Sequence, residues 1–279
     1  MLFLCYIMEN LIFLITGGAV SLVKINRDKK EILCNAKQID IVEKLIHNGR
    51  RYFGSSGASL SHQISNPAYL DKGIDTGLAK AGLEGEHKTS RLLLEWMKGK
   101  PNVVLVDSVH LKSYGEEVYD EETGTFEGGD TDHVLVIGNF VIIIDSKNWK
   151  SRKRYSINDK GEVIRGNQSF AGGKINTIRA SKLWAEALKS HRSTISSIVN
   201  ISSDKVAVTR DRNWWKQPYR LVTLETLEEF LNDVWEKLPE ESKSTINVNL
   251  VSSIVANAIK PYDVFKEQLG EVSSLLEIK

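Results

Sequence analysis

The chain has 279 residues, of which 41% are hydrophobic and 26% are charged, and its net charge is +1. This composition excludes a disordered or collagen-like chain and leaves room for one large or two small domains, each with a buried core. Two cysteines, Cys5 and Cys34, exclude a disulfide framework and match no zinc-ligand spacing. We therefore expect a globular protein of a reducing compartment, which indicates the cytoplasm.

Residues 1–35 begin with a strongly apolar stretch, residues 1–23, which is followed directly by basic residues such as Lys24 and Arg27. The uninterrupted apolar run is shorter than the ~20 residues that a membrane span needs. The basic flank is nevertheless typical of the cytoplasmic side of an N-terminal anchor. Two interpretations stay open: a membrane contact through residues 1–23, or additional strands or a helix of the fold, which the short run favours.

Residues 36–81 are predicted to contain a helix and a flexible loop. Apolar side chains recur at helical spacing over residues 36–47, and Asn48-Gly49 follows as a helix stop. Residues 52–77 are rich in Ser, Gly and Asn and show no periodicity. This pattern predicts a long loop, which acts either as a linker or as a flap near a site.

A second helix is predicted over residues 83–98, and Glu86 is its unusual member. At about 100° per residue, Glu86 falls within about 20° of Leu93 and Met97, at the centre of the apolar stripe. A carboxylate on a buried face costs several kcal/mol unless it is paired or bound to a metal. Glu86 is therefore a candidate site residue. The alternative is a frayed first turn, in which Glu86 complements the helix dipole.

A hairpin is predicted after a strand over residues 102–107 and an acidic loop over residues 115–129. Two runs rich in β-branched residues, 132–137 and 140–145, flank the pair Gly138-Asn139, which is an accepted two-residue turn. This turn sets a register in which Ile137 faces Phe140. The run 141–144 is apolar on both faces, which favours a central, covered strand over an edge strand.

The same register places Asp132 opposite Asp145 at the end of the hairpin. Opposed like charges destabilise a strand pair unless a cation lies between them. Because side chains alternate along a strand, Lys147 shares a face with Asp145, whereas His133 points to the other face and is interpreted as structural. The alternative is an edge hairpin whose solvated end carries a weak Asp145–Lys147 pair.

The charge distribution changes sign after the hairpin. Residues 101–150 contain ten acidic and three basic residues, and residues 151–192 contain ten basic and three acidic ones. This pattern suits a site that holds a divalent cation and attracts a polyanion. The candidate phosphate-contacting residues are the basic side chains Arg152, Lys153, Arg154 and Lys174.

Further elements follow in the C-terminal half. The pattern predicts a basic amphipathic helix over residues 175–188, a short strand over residues 205–208, and a strand at residues 221–222. The last strand passes into a capped helix that ends near Trp235. Residues 239–279 are expected to form a helical extension without a chemical motif.

The order of three short motifs carries a family resemblance: Gly85-Glu86, then Asp132-His133, then Ile144-Asp145-Ser146-Lys147-Asn148. Over residues 82–238 this order resembles the nuclease-related domain (NERD) family of the restriction-endonuclease-like PD-(D/E)XK superfamily. The resemblance implies an α/β fold in which helices flank a mixed central sheet that carries a catalytic hairpin.

The resemblance also implies a function and a set of site residues. It implies a metal-dependent nuclease that hydrolyses phosphodiester bonds in nucleic acid, with DNA favoured. Asp132 and Asp145 would bind Mg²⁺ or Mn²⁺ with the help of the Ser146 carbonyl, because hard cations take oxygen ligands. Glu86 would complete the metal shell or orient a metal water, and Lys147 would orient and activate the attacking water. The alternative function is a catalytically silent module with the same fold that binds nucleic acid or organises partners at a membrane.

Overall fold

The computed structural model describes residues 7–8, 11–16, 19–23, 36–65, 76–110, 119–120, 125–126, 130–170, 184–209 and 219–258. Near the N-terminus, a separate antiparallel sheet contains β1 (Ile7–Met8), β2 (Leu11–Thr16) and β3 (Ala19–Val23). Among the described residues, no helix has both the length and the apolar character needed to cross a membrane.

The centre of the fold is a mixed six-stranded sheet. Its strands, in spatial order, are β14 (Arg220–Thr223), β13 (Thr194–Ile201), β9 (Phe140–Lys147), β8 (Asp130–Ile137), β5 (Val103–His110) and β4 (Tyr52–Phe53). Strand β9 pairs antiparallel with β8 and parallel with β13, so the predicted central position of this strand is confirmed. The smaller sheets contain β6 (Tyr119–Asp120) with β7 (Thr125–Phe126), and β10 (Tyr155–Ile157), β11 (Val163–Arg165) and β12 (Gln168–Ser169).

Helices cover both faces of the central sheet. They are α1 (Ala36–His47), α2 (Ala58–Ser65), α3 (Thr76–Trp96), α4 (Leu224–Lys237), α5 (Glu240–Ser244) and α6 (Val248–Ala258), with a 3₁₀ turn at Lys189–His191. On one face, Val134 and Ile143 pack with residues of α1, α6 and Trp184. On the other face, Leu135 and Ile144 pack with residues of α3 and α4. Because side chains alternate along the two hairpin strands, these strands contribute to two separate hydrophobic cores.

The hairpin turn forms where the sequence predicts it. Gly138 has a φ of 57°, and a Cβ atom there would lie 2.9 Å from the backbone of Ser242, so both the turn and its packing require glycine. The predicted register is confirmed from Ile137 with Phe140 as far as His133 with Ile144.

Three predicted elements differ in the structure. The interval 52–77 is not one loop, since its described part contains β4 and α2. Helix α3 begins at Thr76, seven residues earlier than expected from position 83. The predicted strand at residues 205–208 is wrong, because Lys205 adopts a left-handed φ of 60° in a turn and Val208 forms only an isolated bridge.

Strand β13 was not predicted, although it lies beside the central strand of the hairpin. Its sequence alternates poorly and contains two serines and an asparagine, so its extended conformation comes from pairing along β9. The strand β14 and the capped helix after it are confirmed: Thr223 caps α4, and the Thr226 side chain accepts from the Thr223 backbone N–H. Most of the predicted helix 175–188 and of the loop 115–129, and residues 259–279, lie outside the described residues.

Candidate active site

Near the end of the hairpin, the side chains of β5 switch from one face of the sheet to the other. In β5, Ser108 has a left-handed φ of 53°, and it lies across from Asp132 because Asp107 pairs with His133 and Val109 pairs with Thr131. Val109 consequently belongs to the same core as Val104 and Val106. Simple alternation would place Val109 on the opposite face, so the facing direction reverses at Ser108.

Asp132 lies on β8 opposite Ser108, where this reversal occurs. The Asp132 Oδ2 atom accepts a hydrogen bond from the backbone N–H of Ser146 on β9 at 2.6 Å. Burial raises the pKa of Asp132 to about 6, and the neighbouring charge of Asp145 adds to this rise, whereas Lys147 and His133 oppose it. The charge of Asp145 therefore acts on Asp132, although the paired register of the hairpin ends at His133 with Ile144 and does not include the predicted pair of Asp132 with Asp145.

Lys147 and Asp145 share one face of β9. The Lys147 Nζ atom lies 2.7 Å from Asp145 Oδ1, which confirms the predicted spacing of these side chains. Burial alone would lower the pKa of Lys147, but Asp145 and Asp132, with a smaller contribution from Glu86, raise it above the usual range. Lys147 is therefore an ammonium group at neutral pH.

Glu86 reaches the same end of the sheet from α3 and is only 7% exposed. Because the helix begins at Thr76, Glu86 lies well inside it, and the alternative of a frayed first turn is wrong. Gly85 permits this close approach, since a Cβ atom there would lie 2.5 Å from Ser202 Oγ and 2.9 Å from Asn148 Cβ. Asn148 in turn donates to the Ala81 carbonyl at 2.7 Å and so ties the hairpin to the helix.

These side chains line one cleft with a volume of about 360 Å³. Its lining combines the charged and polar residues Glu86, Ser108, Asp132, Ser146, Lys147 and Asn148 with the apolar residues Leu60, Leu78, Ala81, Gly82 and Trp149. The structure thus brings Glu86, Asp132 and Lys147 to a common cavity, with Asp145 beside it through its contact with Lys147.

A buried polar network lies on the α3 face of the sheet, next to this cleft. The Nδ1 atom of His133 is 2.8 Å from Asp107 Oδ1, and its Nε2 atom is 3.0 Å from Ser146 Oγ. Ser90 Oγ and Tyr52 Oη donate to Asp107 Oδ2 at 2.6 and 3.1 Å. His133 is therefore structural, as the sequence analysis expects, and the network satisfies an acid that alternation alone did not mark as important.

Asp107, His133 and Ser146 have the spacing of a hydrolase triad, but the surroundings oppose that chemistry. The Ser146 hydroxyl donates to Thr89 Oγ1 at 2.9 Å, and the Ser146 side chain is only 5% exposed. Burial by itself lowers the pKa of His133, yet the charge and hydrogen bond of Asp107 outweigh it and raise the pKa. Ser146 Oγ donates its one proton to Thr89 Oγ1, which itself donates to the Gly85 carbonyl, so His133 Nε2 must donate to Ser146 Oγ. A nitrogen that already donates to Ser146 cannot take a proton from it.

The donor set beside the cleft suits a hard divalent cation. Asp132 and Asp145 each use one carboxylate oxygen in the contacts above, and an ionised carboxylate offers about four lone-pair sites, so both can also bind a cation. A cation would also offset the repulsion that raises the pKa of Asp132. Within the described part of the chain, no three His, Cys, Asp or Glu side chains are grouped closely enough to form a metal site, so Glu86 shares the cleft without completing such a cluster.

The predicted phosphate-contacting residues divide into two groups. Arg152, Lys153 and Arg154 are exposed and begin five residues after Lys147, the last residue of β9. Lys174 lies outside the described residues.

Two residues of the site and its network carry no clear signal in the sequence. Asp107 is the last residue of the predicted strand 102–107, but it lies inside the observed strand β5. Trp149, a residue of the cleft lining, had no periodic signal at all, because it follows the end of β9.

The mixed sheet, its flanking helices and the acidic hairpin define a restriction-endonuclease-like α/β core. Residues 81–203 match the family model of the nuclease-related domain. The matched residues include the acids, the lysine and the Asp107, His133 and Ser146 part of the buried network, and the match suggests a nuclease-related function that acts on nucleic acid. No curated protein and no solved structure matches the chain significantly.

Proposed function

We propose that the protein is a metal-dependent nuclease that hydrolyses phosphodiester bonds, with DNA as the expected substrate and Mg²⁺ or Mn²⁺ as the cofactor. The observation that carries this proposal is the convergence of Asp132, Asp145 and Lys147 at the end of the central hairpin, with Glu86 in the same cleft. An acid pair with one ammonium group beside a polar cleft is suited to binding a cation and a phosphate together.

Each side chain has a role that follows from its chemistry. Asp132 and Asp145 would hold the cation with the Ser146 carbonyl, and the Ser146 N–H keeps Asp132 in place. The bound cation would supply Lewis-acid stabilisation of the phosphoryl oxygens. Lys147 is protonated, so it orients the attacking water and offsets the charge on the scissile phosphate by donating hydrogen bonds. Glu86 accepts a hydrogen bond from that water or from the cation's hydration shell.

The first experiment compares cleavage by the parent protein and by Lys147→Ala with Mg²⁺ or Mn²⁺. Loss of a positioned donor at the reacting phosphate lowers rates by about 10²–10⁴-fold, so Lys147→Ala should erase most cleavage while nucleic-acid affinity stays nearly unchanged. Lys150→Ala is the matched control, because it removes the same charge from an exposed position three residues further along. Equal cleavage by the Lys147→Ala variant and the parent would remove Lys147 from the mechanism.

The second experiment measures the cation directly. Mg²⁺ or Mn²⁺ should raise the Tm of the parent and leave the Tm of Asp132→Asn unchanged, because binding to the native state alone stabilises it. Asp159→Asn, a change of an exposed acid in the turn after β10, should respond like the parent. If no cation shifts the parent Tm and no nucleic acid is cut, the catalytically silent binding module replaces the nuclease.

A further inference from the structure

The cleft has apolar walls that phosphodiester hydrolysis does not require. Leu60 from α2, Leu78 and Ala81 from α3, and Trp149 line it together with the acids. Leu78 is 73% exposed, so it lies at the open rim of the cleft. Water, phosphate and a cation need only polar partners. The apolar residues therefore indicate contact with a part of the substrate other than its phosphate.

Trp149 is held in place by an aromatic cluster. Its ring stacks on Tyr155 with centroids 5.7 Å apart and an interplanar angle of 29°, and Phe170 meets it edge-on at 5.0 Å. Tyr155 is buried, and Arg165 lies over the Phe170 ring at 5.4 Å. The indole is therefore fixed from one side while it lines the cleft, so binding a flat ligand there costs little conformational entropy.

The basic side chains that follow Trp149 supply the matching charge. Arg152, Lys153 and Arg154 are exposed and lie within five residues of the indole. An aromatic ring followed closely in the chain by three exposed cations matches the combination with which proteins bind single-stranded nucleic acid, in which rings stack on bases and cations follow the backbone.

Resting on the nuclease function above, we propose that one nucleobase of single-stranded DNA stacks on Trp149 while the adjoining phosphate reaches Lys147 and the acids. The volume of about 360 Å³ is that of a pocket for one small organic molecule, which a single nucleotide fills. A base in a duplex reaches such a pocket only after it is unpaired and flipped out, whereas a base in a single strand does so without that cost. The substrates are therefore single strands, flaps or frayed ends.

The test uses the full chain and oligonucleotides of one sequence as single-stranded DNA, duplex DNA, single-stranded RNA and single-stranded DNA with abasic sites. The parent should cleave the single strand at least about 10-fold faster than the duplex. Trp149→Ala should lower kcat/KM on the single strand by about 10- to 100-fold, mainly through KM, as expected for the loss of one stacked base. Trp149→Phe, which keeps an aromatic face, should retain most of the activity, and Trp149→Leu, which keeps apolar bulk alone, should not.

Binding without cleavage gives an independent signature. In EDTA, 2-aminopurine in a single-stranded oligonucleotide should lose fluorescence on binding the parent and Trp149→Phe, but not Trp149→Leu. The abasic strand should bind the parent about 10-fold more weakly than the intact strand, a measurement that remains valid even if Trp149→Ala fails to fold.

The outcomes separate the two proposals. Cleavage of single strand and duplex at equal rates, with equal affinity for abasic and intact strands, would overturn the stacking site and leave the nuclease standing. Quenching that depends on Trp149 without cleavage of any substrate would overturn the nuclease and leave the stacking site. Stronger quenching and faster cleavage with the RNA strand would show that the substrate is single-stranded RNA and not single-stranded DNA.

Discussion

Two pairs of a cation and a carboxylate lie at the end of the central hairpin and differ in their surroundings. His133 and Asp107 are 2.8 Å apart with both side chains 0% exposed, whereas Lys147 and Asp145 are 2.7 Å apart with side chains 30% and 20% exposed. The separations are almost equal. The difference lies in the number of acids, the number of hydrogen bonds and the access to the cleft.

The buried pair is electrically balanced and satisfied. Asp107 faces one charged imidazole and accepts from Ser90 and Tyr52, and burial with the charge of Asp107 raises the pKa of Tyr52 to about 12. The pair beside the cleft has a second acid, Asp132, whose charge Lys147 cannot offset together with that of Asp145. Distance therefore does not separate a structural ion pair from a reactive one, whereas the balance of neighbouring charges does.

The largest effect is expected when the buried pair is broken. Asp107→Ala leaves a buried imidazolium without its partner, so the free energy of unfolding should fall by about 3–5 kcal/mol. Urea denaturation measures this loss. Asp145→Ala, the equivalent change in the partly exposed pair beside the cleft, should cost less than about 1 kcal/mol, because it also removes the repulsion between Asp145 and Asp132. Equal losses from the two variants would show that the pairs do not differ as described.

Ser146 contacts both regions, because its hydroxyl bonds His133 and its backbone N–H bonds Asp132. A change of its side chain alone therefore tests the buried network without removing the contact to Asp132. Ser146→Ala removes the acceptor of His133 Nε2 and the donor to Thr89, which should cost about 1–3 kcal/mol of stability. The backbone N–H that holds Asp132 remains, so the Tm shift caused by Mg²⁺ or Mn²⁺ should persist. Thr89→Val should behave in the same way. Loss of the cation response with unchanged stability would instead place the Ser146 hydroxyl in the site.

An effect of opposite sign is expected at Asp132 in EDTA. Its pKa in the folded protein is about 6 against an ordinary 3.8, so the fold favours the neutral carboxyl, and the parent loses stability as pH rises from about 4 to 6. Asp132→Asn cannot ionise and still accepts from Ser146 N–H. It should therefore be more stable than the parent above pH 6, by up to about 3 kcal/mol, and equal to it near pH 4. A Tm difference that does not change with pH would contradict this account.

The smallest effect on stability is expected from the exposed basic residues. Neutralising Arg152, Lys153 and Arg154 together should change the free energy of unfolding by no more than about 0.5 kcal/mol. Nucleic-acid affinity should nevertheless fall, and the slope of log affinity against log salt should flatten by up to about 2 for a single strand. Fluorescence anisotropy at several salt concentrations measures both. An unchanged slope would show that these side chains do not contact phosphates.

The sequence by itself determined the features that depend on near neighbours. Gly138-Asn139 between two β-branched runs specifies the turn, the register follows from it, and the apolar run 141–144 predicts a central strand. Alternation predicts that Lys147 and Asp145 meet, and helical spacing predicts that Glu86 faces inward. These signals suffice because each one involves residues a few positions apart.

The tertiary structure decided the features that require distant segments to meet. Strand β13 exists because β9 offers it a parallel edge, and the reversal at Ser108 requires β5 and β8 to pair around it. The aromatic cluster of Trp149, Tyr155 and Phe170 forms only when β10 and Phe170 pack against the residue that follows the hairpin. Local periodicity cannot specify such contacts, because their stabilisation appears only after long-range pairing has closed the intervening chain.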